Sequence, residues 1–290
     1  MLQYNAGPDR SRNQSCGRLV RASVWLPAMS LAAGLTFGTV VQEAHAAPTD
    51  AEPFKVANIH FETNASACDM GAQIRFDTEG IITGSVRDPK GRKIYSFEAK
   101  AGMKATGGQT EGFLENVEPQ IPELVFALGC EPSTEEGVLA LDDLFEAWPA
   151  GDYTFEGRAK GAKLLSQATL THLIPAGPEV IAPADGTVFP AAVLVIIEWN
   201  SVTEAILPEL GPVNIVGYHV IVEEDTGAEV SPTVDVDVSA TETSLTVPPE
   251  FLKPATIYRF EVLSTEESGN QTISEGFFCT EGVAECVLPD

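Results

Sequence analysis

From Phe54 to Phe278 the apolar side chains recur in short, mostly alternating runs, and nearly every run ends in Gly, Pro, Asn or Asp. A period of two places successive side chains on opposite faces of an extended strand, so such a chain buries its apolar face only by stacking one sheet on another. Phe54, Val56, Ile59 and Phe61 begin the pattern, Ile74 and Phe76 continue it, and Ile81 to Val86 leads into Asp88-Pro89-Lys90-Gly91 before Ile94 to Phe97. Asp-Pro-x-Gly between two such runs is a hairpin signal, because Pro presets φ and Gly accepts a positive one. Tyr153 to Gly157 and Ala168 to Ile174, around Lys160-Gly161, read as a second hairpin.

The expected class is therefore all-β: two β-sandwich domains of immunoglobulin-like kind in tandem. At 44% hydrophobic and 20% charged the chain has enough apolar surface for sizeable cores. Its 42 acidic against 17 basic residues, a net charge of −25, exclude a nucleic-acid partner, which needs a basic footprint.

The first 46 residues follow a different rule. Arg10, Arg12, Arg18 and Arg21 stand against one acid, Asp9; Ala22 to Val41 is uncharged; and Ala44-His45-Ala46 is a small-x-small site. Basic, apolar, small is the order of a signal peptide cleaved after Ala46. A retained membrane anchor is the rival, since about 20 residues span a bilayer, but Pro27, Gly34 and Gly38 interrupt the run. Cleavage implies no stable membrane association, and a periplasmic or secreted location, in bacterial style.

Four cysteines follow the leader: Cys68, Cys130, Cys279 and Cys286. An even number in an exported chain reads as two disulfides with three possible connectivities. Cys68–Cys130 with Cys279–Cys286 keeps each bridge inside one half of the chain. No CxxC spacing supports a metal site instead.

One segment has helical rather than strand spacing. Ser133 and Glu136 fit a capping box, and Val138, Leu141, Leu144, Phe145 and Trp148 recur at helical intervals until Pro149-Ala150-Gly151, which predicts one short helix over 134–147 covering an end of the first sandwich. Pro175, Pro178 and Pro183 then make a stiff connector, dividing the mature chain into domains 47–177 and 178–290.

The second domain carries a specific constellation: Trp199 at the end of a strand, Tyr218 in the next, Leu252-x-Pro254-x-Thr256-x-Tyr258, and Ser268-Gly269-Asn270 before a last strand. This placing resembles a fibronectin type III domain, over about 100 residues. The resemblance implies a two-sheet sandwich, Trp199 as the large core ring, Tyr258 as a tyrosine corner, and a spacer or interaction role without catalysis. The loop Ala205 to Pro212, with three apolar residues and two prolines, is longer than the module needs; it reads either as tolerated length or as a contact surface. No family is assigned to the first domain.

Candidate chemistry is sparse. His60, His172 and His219 lie on separate strands, and no nucleophile elbow or phosphate-cradling loop is present. The segment from Glu62 to Asp69 is dense in oxygen donors, and Glu62, Asn64, Asp69 and Asp77 form a candidate Ca²⁺ set, since calcium takes six to eight oxygens in relaxed geometry. The alternative is Asn, Ser and Asp shaping a turn around a disulfide. Glu115, Glu118 and Glu123 read as a solvated stretch, and the sequons at Asn64 and Asn270 as chance matches. Charge is uneven: residues 180–290 hold 19 acids against two bases, Lys253 and Arg259.

The expectation is an exported, non-enzymatic interaction or structural module with a protein or carbohydrate partner. The alternative is a small hydrolase or hydrolase accessory whose carboxylate or calcium site lies near Glu62, Asp69 and Asp77. A concave pocket around those acids would favour the second; a convex loop would favour the first.

Overall fold

The computed structural model describes residues 51–133, 137–190, 193–227 and 230–288, within one compact unit. The leader and Glu136 of the capping box lie outside them.

The first half contributes β1 (Ala51–Glu52), β2 (Val56–Asn64), β3 (Asp69–Ile81), β4 (Thr83–Arg87), β5 (Lys93–Glu98), β6 (Gln109–Glu115), β7 (Gly151–Arg158) and β8 (Lys163–Leu170). The order β1-β8-β7-β4-β5 makes one sheet, and β2-β3-β6 faces it. Inward positions alternate as the sequence predicts: Ile59 and Phe61 on β2, Met70 to Phe76 at every second residue of β3, Tyr153 and Phe155 on β7, all buried. The chain passes between sheets at the end of β3, where the register shifts between Asp77 and Ile81. Gly80 makes that bend at φ 139°, with the Gly107 carbonyl oxygen 2.9 Å from where a Cβ would sit. Both predicted hairpins form: Gly91 N donates to Asp88 O across the β4–β5 turn, and Gly161 (φ 89°) turns β7 into β8.

Among the described residues there are three short α-helices where the sequence predicts one: α1 (Ala101–Ala105), α2 (Pro122–Leu128) and α3 (Leu141–Ala147). Of the helix predicted over 134–147, residues 134–136 lie outside the described residues and 141–147 form α3, while Gln120 pairs with Val138 and its carbonyl accepts Leu139 N, holding that stretch extended. α2 has Pro at its start and the left-handed Gly129 at its end, the usual asymmetry of helix termini. Gly129 delivers Cys130 to Cys68, and this bridge ties α2 to the β2–β3 turn.

The second half contributes β9 (Val180–Ala182), β10 (Thr187–Phe189), β11 (Ile196–Trp199), β12 (Ile215–Glu224), β13 (Thr233–Ser239), β14 (Ser244–Thr246), β15 (Ile257–Glu266) and β16 (Gln271–Thr280). A three-stranded sheet, β14-β11-β9, packs on β13-β12-β15-β16, with β10 beside β16. This is a fibronectin type III-like sandwich. Trp199 is buried against Tyr218, and the Tyr258 hydroxyl accepts Lys253 N (2.7 Å) and donates to Phe251 O (3.3 Å), which is the tyrosine corner.

The two halves do not follow one another as beads. β16 pairs in parallel with β2, matching Gln271, Thr272 and Ile273 to Glu62, Thr63 and Asn64, so that one eight-stranded sheet runs through both. Each half keeps its own hydrophobic cluster on either side of this seam. The Ala205–Pro212 loop crosses it: Ile206 and Leu207 are buried in the first cluster, and Ile206 N donates to Ile174 O. Of its two sequence readings the contact surface holds, and the surface it contacts is internal.

Candidate binding site

The structure does not bring the four predicted calcium ligands together. Asn64 and Asp69 are opposite each other at the turn end of the β2–β3 ladder, whereas Asp77 pairs with Val56 at its open end. Eight residues of strand separate the two aspartates, about 27 Å at ~3.4 Å per residue. Asn64 Oδ1 accepts Ser66 N (2.9 Å) and Ala67 N (3.2 Å), so this side chain shapes the turn beside Cys68.

Glu62 instead meets acids from the end of β6 and the segment after it. Its carboxylate lies with those of Glu115 and Glu118, their ligand oxygens within 4.8 Å of one another. The register explains the encounter: Glu62 is opposite Gly71, over which Glu118 packs, and Gln73 is opposite Glu115. Gln73 Nε2 donates to Glu62 Oε1 (2.7 Å) and Glu115 Oε1 (2.8 Å), and Gln271 Nε2 donates to Glu62 Oε2. Burial pushes the Glu62 carboxyl above its usual range; the Gln271 hydrogen bond pulls it back, and the Glu115 charge raises it further. Three of the carboxylate oxygens in this cluster already accept amide N–H groups, so a Ca²⁺ ion, which takes six to eight oxygens, would have to break those hydrogen bonds. Titrating residues 47–290 with Ca²⁺ is therefore expected to release no heat and to leave the melting temperature unchanged; a rise abolished by Glu115→Gln would place an ion there.

The histidines remain apart. His172 stacks on Phe145 at 3.9 Å between ring centres and its Nε2 lies 2.8 Å from Trp148 O. His219 pairs with Asp235 at 2.5 Å, and His60 Nδ1 lies 3.2 Å from Asn58 Oδ1.

Sandwich domains present their loops at two ends, where ligands are commonly met. At one end of the second half those loops are already occupied. Asn270, fully buried, accepts Phe61 N at its Oδ1 (2.8 Å) and donates from Nδ2 to Leu173 O (2.9 Å), Thr171 Oγ1 (3.0 Å) and Thr171 O (3.2 Å). Ser268 Oγ lies 2.7 Å from Thr171 Oγ1. The β15–β16 turn and the Ala205–Pro212 loop are thus spent on the first half. Asn270 cannot be a glycan acceptor in the folded chain.

The other end is open. There a cleft of about 730 Å³ is lined by the end of β12 and residues after it, the start of β15, and the tail beyond β16. Cys279–Cys286 holds that tail. Sequence reasoning placed both the disulfide and the acidity of this half but not the cleft, which three distant segments build.

The fold and this end define a two-lobed β-sandwich protein whose second lobe is fibronectin type III-like. No family model matches the chain, and no curated protein matches it. Among solved structures it is similar to fibronectin(III)-like modules of Clostridium thermocellum CbhA, at 10% identity over 81% of this chain and 97% of that one (TM-score 0.29). It is similar to the chicken CNTN1 FN1-FN3 domains at 12% identity over 79% and 65% (TM-score 0.28), and to a structure described as a myokine at 16% identity over 38% and 99% (TM-score 0.26). These likenesses carry no functional inference.

Proposed function

We propose that the chain is an exported, non-catalytic interaction module that meets a protein or carbohydrate partner at the free end of its second lobe. The observation that supports this reading most is the asymmetry of that lobe: one end is consumed in joining the first lobe, the other carries an open, lined cleft. A cleft of this size lies within the ~300–1,000 Å³ typical of ligand sites. Export is supported by two disulfides, which persist in oxidising compartments. No helix among the described residues is long and apolar enough to cross a membrane. The hydrolase alternative has less support, because Glu62, Asp69 and Asp77 do not gather around one cavity.

The test uses the mature chain, residues 47–290, immobilised and offered both the protein extract of its own compartment and a glycan array. One retained protein or glycan class, displaced by free mature chain, is expected. Retention of neither, together with turnover of glycoside or ester substrates, would reverse the reading. Amino-terminal sequencing of exported protein is expected to begin at Ala47.

A further inference from the structure

The cleft at the free end has a consistent chemistry. Glu224, the last residue of β12, and Asp225 beside it line the cleft, yet their side chains are only 6% and 7% exposed. Buried carboxylates are costly unless paired. The two basic residues of the whole 180–290 region are spent on them: Lys253 Nζ lies 2.6 Å from Glu224 Oε1, and Arg259 Nε lies 3.4 Å from Asp225 Oδ2. Each pairing uses one carboxylate oxygen. The oxygens facing the two cations, Glu224 Oε1 and Asp225 Oδ2, are the buried ones and are held by charge without a hydrogen bond, and among the described residues no hydrogen bond is made to Glu224 Oε2 or Asp225 Oδ1 on the cleft-lining side chains. Glu285, on the tail, adds a third carboxylate to the lining, and neither Lys253 nor Arg259 belongs to it. The rest of the wall is apolar, from Ile257 on β15 and from Val283 and Val287 on the tail.

Acid oxygens beside an aliphatic wall fit a cation carried on an apolar stem. A bare metal ion suits the site less. Among the described residues the carboxylates that close to within 4.8 Å are those of Glu62, Glu115 and Glu118, not these. A carbohydrate would find few neutral hydroxyl or amide partners and no aromatic platform in the lining. The surrounding lobe, with 19 acids against two bases, steers cations toward this end.

We propose that this cleft receives a lysine or arginine side chain presented by a protein partner, its charged head at the free oxygens of Glu224 and Asp225 and its stem against Ile257 and Val287. The tail clasped by Cys279–Cys286 is then one wall of the site. This inference rests on the reading of the chain as an interaction module and narrows its partner to a protein.

The probes are N-acetyl-lysine methylamide and its neutral counterpart N-acetyl-norleucine methylamide, titrated into isotopically labelled residues 47–290 and followed by amide chemical shifts. With the lysine probe, saturable shifts are expected at Thr226, Gly282 and Val283. The norleucine probe should bind about fivefold more weakly, the size of one partly screened ion pair. Raising salt to about 0.5 M should weaken the lysine probe alone. Glu285→Lys, on an exposed tail residue that leaves both buried pairs intact, should weaken it by a similar factor with the melting temperature unchanged. Equal binding of both probes, shifts that ignore Glu285→Lys, or no shifts at these amides would overturn the assignment. The two readings fail separately. A partner captured by wild type and equally by Glu285→Lys keeps the module and removes the cleft. Lysine shifts with no partner captured keep the cleft and remove the module.

Discussion

Replacing Asn270 by Ala is expected to destabilise the protein by about 3–5 kcal/mol. The side chain is fully buried and serves three backbone groups: Phe61 N, Thr171 O and Leu173 O. Alanine reaches none of them, and a buried backbone group left without its partner costs about 1–3 kcal/mol. The surroundings cannot compensate. Residues 171–176 form no ladder, and their carbonyls are satisfied one by one: Leu173 by Asn270, Ile174 by Ile206 N, Pro175 by Thr272 Oγ1 (2.6 Å) and Ala176 by Ser264 Oγ (2.8 Å). Asp at 270 should be at least as damaging, because it loses the donors and brings a charge into the same dry site. Urea unfolding measures the effect; a loss below about 1 kcal/mol at unchanged m would mean that water replaces the amide and that the joint is looser than its geometry.

The same joint separates what was legible in the sequence from what was not. Trp199, the Tyr258 corner, the Asp88–Gly91 and Gly161 turns and both disulfides depend on local spacing or on pairing within one half, and each was read correctly. α2 was missed although Pro122 and Gly129 frame it, because a seven-residue helix shows too little periodicity to compete with the strand pattern around it. The helical spacing that includes Val138 does not hold at that residue, because apolar spacing cannot reveal that Gln120 pairs with Val138. The acidic cluster is half legible: Glu62 stands in an oxygen-rich segment, but Glu115 and Glu118, which read as a solvated stretch, reach it through a register across three strands that no local pattern encodes.

A signal for the joint was present in the residues themselves. Along β15 the inward positions read Tyr258, Phe260, Val262, then Ser264 and Glu266, and Thr272 follows inward on β16. Polar side chains where the alternation calls for apolar ones are expensive unless each has a partner. Their run marks the place where one core stops and the backbone of another segment must be met. Glu266 shows the rule: it is fully buried, and its carboxylate accepts Ser268 N (3.0 Å) and Ser268 Oγ. Of the two loop ends of the second lobe, this one is committed inward and the opposite one carries the open cleft.

Leu207→Ala supplies the second large effect, and its location matters more than its size. Leu207 belongs by sequence to a loop of the second lobe but is buried, 6% exposed, in the cluster of the first. Truncating a buried Leu costs about 2–5 kcal/mol, through lost transfer energy and the cavity left behind. Were the lobes independent, a loop leucine would be solvent-exposed in either one and its removal nearly silent. With the shared sheet and the crossing loop, the loss should instead lower the stability of both lobes together, since unfolding either one strips the other of β2–β16 pairing and of the seam contacts. Hydrogen exchange read by mass spectrometry at increasing denaturant distinguishes the cases. Peptides covering β7 in the first lobe and β15 in the second should label at one common midpoint in the wild type and shift by the same amount in Leu207→Ala. If the β7 peptide shifts while β15 stays protected, the lobes are separate folding units that merely touch; if neither moves, Leu207 is not seated in the first core.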